Sequence, residues 1–70
     1  MKLYYFINLD ERGEFRADVR TYIGDTIFEI DGHEIFEDGY MRNSTDIDGL
    51  LDYMIDLDIA SIDDEIVLGE

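Results

Sequence analysis

Seventy residues with a formal charge of −14, no cysteine and no proline leave room for a single domain, residues 1–70, with a thin core. They exclude disulfide staples and thiolate metal sites, and the charge repels nucleic acid rather than attracting it. A hydrophobic fraction of 46%, with five tyrosines and four phenylalanines, argues against disorder.

Residues 2–9 alternate aromatic and aliphatic side chains on both faces, with Leu3, Tyr5, Ile7 and Leu9 on one side and Tyr4 and Phe6 on the other. That pattern predicts an interior strand. Its apolar run is too short for a signal-peptide core or a membrane span, so a cytoplasmic chain without membrane contact is expected. A turn at residues 10–13 leads to residues 14–23, where Phe15, Ala17, Val19, Thr21 and Ile23 point inward and Arg16, Asp18 and Arg20 outward. The two segments predict a hairpin.

After Gly24 and Asp25, residues 26–30 resume a strand. Asp31-Gly32 reads as a two-residue hairpin turn into a fourth strand at residues 33–37, and Asp38-Gly39 ends it before a short segment at residues 40–42. Asn43, Ser44 and Thr45 offer N-cap side chains, with Asp46 and Asp48 favoured in the first turn of a following helix. Ile47, Leu50, Leu51, Met54 and Ile55 form its apolar stripe, running to about residue 57. Gly49 weakens that helix by up to about 1 kcal/mol, and Asp56 and Asp58 oppose its dipole. Residues 65–68 predict a last short strand.

The fold class read from this order is α+β: an antiparallel four- to five-stranded sheet with one helix on one face, in the order ββββαβ. One helix covers one face, leaving Tyr4, Phe6, Tyr22 and Phe36 to be exposed, covered by loops or the C-terminal segment, or packed on another chain.

Catalytic chemistry is poorly supplied. The only histidine, His33, flanks a tight turn, and there are only two serines, Ser44 and Ser61. The Asp46 and Asp56 segments begin like calcium loops but fail at the later ligand positions. No enzyme activity, cofactor or metal site is expected, and 70 residues rarely provide a substrate cleft.

The charge is segregated along the chain. Through Gly24, four basic and four acidic residues balance; from Asp25 onward one base, Arg42, faces fifteen acids. Asp48, Asp52 and Asp56 recur every four residues, which puts them on one helix flank about 6 Å apart along its axis. Glu29, Glu34, Glu37 and Asp38, together with Asp63, Asp64 and Glu65, extend the candidate partner-binding set. In the predicted hairpin Glu29 opposes Glu34, a like-charge pair that costs stability. A single array of these carboxylates suits the Lys and Arg side chains that ordinarily meet phosphates.

In size, lack of cysteine, the stripe of Asp48, Asp52 and Asp56, and the acid-rich stretch 46–65, the chain resembles the small acidic DNA-mimic proteins of phages and mobile elements, the anti-CRISPR and anti-restriction inhibitors. The resemblance is one of class, with no family motif. It implies a phage-encoded inhibitor acting in the host cytoplasm, occupying the basic DNA-binding surface of a CRISPR effector or restriction enzyme. Two other readings stay open: an immunity protein or antitoxin that neutralises a basic toxin nuclease, and a small accessory subunit that homodimerises through its second sheet face.

Overall fold

Strand β1, Lys2–Leu9, is central because it is apolar on both sides, and it pairs with neighbours along both edges. The computed structural model describes residues 1–31 and 34–69. Asp10 closes the first turn: its Oδ1 accepts from the backbone N–H of Arg12 and Glu14, both at 2.9 Å, and Gly13 takes a positive φ of 78°. Strand β2, Phe15–Arg20, then runs antiparallel to β1 with Tyr5 opposite Val19 and Ile7 opposite Ala17.

β2 is shorter than its sequence pattern predicts. Thr21 leaves the strand because its N–H and C=O bond to Asp25 and Gly24 in a turn, which puts Ile23 in solvent at 67% exposure. Strand β3, Thr26–Asp31, pairs antiparallel with β2 and bears a bulge near Val19 and Arg20. The segment after it departs from expectation. Residues 34–37 form a short helix, α1 (Glu34–Glu37), rather than a fourth strand, and the predicted turn residue Gly32 and His33 lie outside the described residues. Burial of Ile35 in the core, with Phe36 edge-on to Phe15 at 5.1 Å, outweighs the alternating pattern. Phe36 is therefore on the helical side of the sheet.

Helix α2, Ile47–Asp56, buries Leu50 and Met54 along its apolar stripe. Its N-cap is Asp46, whose side chain accepts from the Gly49 N–H, and not the Asn43 to Thr45 run. Those residues form their own turn, in which Asn43 Oδ1 accepts from Thr45. At the other end Asp58 adopts a φ of 63°, and the N–H groups of Asp58 and Ile59 return to the carbonyls of Ile55 and Met54. This is a Schellman closure built on a non-glycine residue.

Strand β4, Glu65–Leu68, completes a four-stranded mixed sheet in the order β3-β2-β1-β4. It lies parallel to β1, so the sheet is not all antiparallel and the element order is βββααβ. The helical crossover between β3 and β4 returns the chain to the end from which β1 started. Leu3, Tyr5, Phe15, Ala17, Val19, Ile30 and Ile66 meet Ile35, Met41, Leu50 and Met54 in one core on the helical side.

Among the described residues the opposite face of the sheet carries no helix. There Tyr4 and Phe6 are half-buried, Phe6 being roofed by the Arg20 guanidinium at 4.4 Å and closely approached by Gly69. Tyr22 projects from the β2–β3 turn at 80% exposure and shields neither. None of the helices among the described residues is long and apolar enough to cross a membrane.

Candidate partner-binding surface

The division of charge along the sequence becomes a division between faces. Side chains alternate across a strand, so the registers of the sheet place Lys2, Arg16 and Arg20 on the open face beside Asp18, Glu29, Asp31 and Glu65. That face is close to balanced. Arg20 holds Asp18 through two hydrogen bonds, of 2.8 and 3.1 Å, and Arg16 lies 3.7 Å from Asp31. The helical side is different: residues 34–58 include eight carboxylates and one base, Arg42. Arg42 itself is turned to Asp46, with Nε 3.4 Å from Oδ2.

Asp48, Asp52 and Asp56 are all exposed on α2, as the four-residue spacing requires. Glu34 and Glu37 of α1 and Asp38 just after it are exposed in the same helical layer. In that layer the rings of Tyr40, after α1, and Tyr53, on α2, meet edge-on at 4.7 Å, and Tyr53 also meets Phe28 at 5.9 Å. The Tyr40 hydroxyl donates to Asp56. That bond, followed by desolvation and the charges of Asp56 and Asp38, raises the Tyr40 pKa. Tyr53 is raised by desolvation first, and then by the charges of Glu34 and Asp38. A tyrosine pair surrounded by carboxylates was not read from the sequence, because the rings are thirteen positions apart and meet only through the α1–α2 turn.

The remaining predicted residues lie elsewhere. Glu29 is on the open face, where its cross-strand neighbour is Asp18; the predicted pairing with Glu34 does not form because Glu34 is helical. Glu65 is also on that face, beside Lys2. Asp63 is exposed in the turn before β4. Asp64 is engaged: it accepts from the Ser61 N–H and faces the Met1 ammonium at 3.2 Å, and these contacts hold its pKa below the usual carboxylate range. Asp46 is held low by backbone N–H donors from Arg42 and Gly49. The ten predicted carboxylates therefore do not make one array: six lie on the helical side, and the others are divided between the open face and the turn before β4.

Among the described residues no group of three or more metal-ligating side chains converges. No protein-family model matches this chain, and no curated protein or solved structure is significantly similar to it.

Proposed function

We propose that this protein inhibits a nucleic-acid-binding protein, of the kind represented by a CRISPR effector or restriction enzyme, by laying the acidic surface of α1 and α2 on its basic DNA-contacting groove. The supporting observation is the exposed row of Asp48, Asp52 and Asp56, accompanied by Glu34, Glu37 and Asp38 in a layer whose one base among the described residues, Arg42, is paired with Asp46. Such a face steers basic surfaces toward it and competes with phosphates for Lys and Arg.

The Tyr40 and Tyr53 pair favours a second reading in which the partner is a basic toxin nuclease recognised as a protein, not through DNA mimicry. Half-buried tyrosines are typical anchors of protein interfaces and have no counterpart on a DNA backbone. Affinity capture from a bacterial lysate, with and without duplex DNA competitor, separates the two. A mimic is displaced by DNA, whereas an immunity protein bound beside the nucleic-acid site is not. Replacing Asp48, Asp52 and Asp56 together by Asn abolishes capture in either case; retention of full affinity by that variant overturns the placement on α2.

A further inference from the structure

β3 ends the sheet, with no further strand beside it among the described residues. Along that edge, between the strand and the helices, runs a cleft of about 140 Å³ walled by Phe28, Ile30, Ile35 and Tyr53 and bordered by Glu29 and Glu34. An open edge is normally blocked by proline, by charged side chains, by a bulge or by a covering element. β3 has no proline or lysine; its devices are the carboxylates Glu29 and Asp31, which repel another acidic strand, and a bulge near its start that leaves residues 28–31 regular.

The charges on this edge discriminate between partners. On the open face Asp18 is matched by Arg20 and Asp31 lies 3.7 Å from Arg16, whereas Glu29, across from Asp18, has no cation opposite it on β2. A second copy of this chain pairing through β3 would add Glu29 and Asp31 of its own to the same row. A strand with basic residues at alternate positions would instead put cations next to Glu29 and Asp31 on the open face. Its intervening apolar residues would enter the cleft beside Phe28 and Ile30.

The geometry points to β3 as a docking edge that captures an extended basic segment of the partner protein by strand addition, with Arg or Lys at every second position. This rests on the reading of the partner as a basic protein, and it adds a contact separate from the α2 carboxylates.

The test uses three blocked hexapeptides, Arg-Val-Arg-Val-Arg-Val, its Glu-Val counterpart, and an Arg-Pro-Gly repeat, each titrated into the isotope-labelled full chain. The Arg-Val peptide is expected to shift the amides of residues 28–31 and of Tyr53, and to slow hydrogen exchange in β3. The Glu-Val peptide should do neither, and the Arg-Pro-Gly peptide should leave β3 exchange unchanged, since proline cannot complete a ladder. Glu29→Lys with Asp31→Lys, both at exposed positions, should weaken the Arg-Val peptide by about tenfold. Shifts confined to residues 48–56, or equal effects of the two arginine peptides on β3, overturn strand addition while leaving the α2 reading intact. Conversely, the Asp48, Asp52, Asp56 to Asn variant should still bind the Arg-Val peptide at β3. Its loss of lysate capture together with normal peptide binding assigns the two contacts to two surfaces, and β3 binding that disappears with it overturns this proposal.

Discussion

The hydroxyl of Tyr40 is hydrogen-bonded to the carboxylate of Asp56, tying the turn after α1 to the last turn of α2. One carboxylate of the exposed row is therefore held in position by a tyrosine.

This bond makes the tyrosine retain its proton. Its folded pKa lies above the ordinary tyrosine value, mainly through the bond to Asp56. The associated stabilisation is complete below the unfolded tyrosine pKa and disappears as pH rises through the raised folded value. Asp56→Asn should bring the Tyr40 titration, followed by its ring NMR signals, back toward the ordinary value. It should also flatten the loss of stability above about pH 10. A Tyr40 titration unaltered by that substitution would contradict the hydrogen bond.

At Gly49, helix propensity and packing give opposite signs. Alanine is the better helix former by about 1 kcal/mol. A Cβ here, however, would collide with the Tyr40 carbonyl, a backbone atom that cannot simply rotate away. Gly49→Ala should therefore destabilise by about 1–3 kcal/mol in urea unfolding, the usual cost of overpacking. A gain in stability would mean that α2 and the preceding turn separate readily.

Asp58 occupies the left-handed closing position of α2, at the negative end of its dipole. Both features oppose aspartate and favour glycine. Asp58→Gly should stabilise the fold by about 1 kcal/mol, or roughly 4–8 °C in Tm for a domain of this size. An unchanged or lower Tm would indicate that the carboxylate makes a compensating contact.

Tyr5 is 1% exposed, and its hydroxyl has no hydrogen-bond partner among the described residues. Burial alone pushes its pKa up to about 12. An unsatisfied buried hydroxyl costs about 1–3 kcal/mol, so Tyr5→Phe should match or exceed the wild type in thermal stability. A clear loss would show that the hydroxyl is satisfied in solution.

Much of the fold is legible locally. The alternation of Phe15, Ala17 and Val19 against Arg16, Asp18 and Arg20 predicts β2 and its two faces, and the spacing of Leu50 and Met54 predicts the buried side of α2. The Asp48, Asp52 and Asp56 row is equally readable, since one helix displays its own periodicity without help from other elements. Residues 33–37 were not readable in this way. Glu34, Ile35, Phe36 and Glu37 suit either a strand or a helical turn, and the contact of Phe36 with Phe15 is made across the fold.

By itself, then, the sequence determined an α+β fold without cysteine chemistry, with a hairpin, an amphipathic helix and an acidic excess after residue 24. Tertiary structure alone decided that β4 runs parallel to β1, that Gly49 is a site of close approach, and that Glu29 lies on a different face from the α2 carboxylates. The physical reason is one of range. Periodicity and capping are set by residues a few positions apart, whereas strand order, backbone contact and the sharing of a face depend on how distant segments pack around one core.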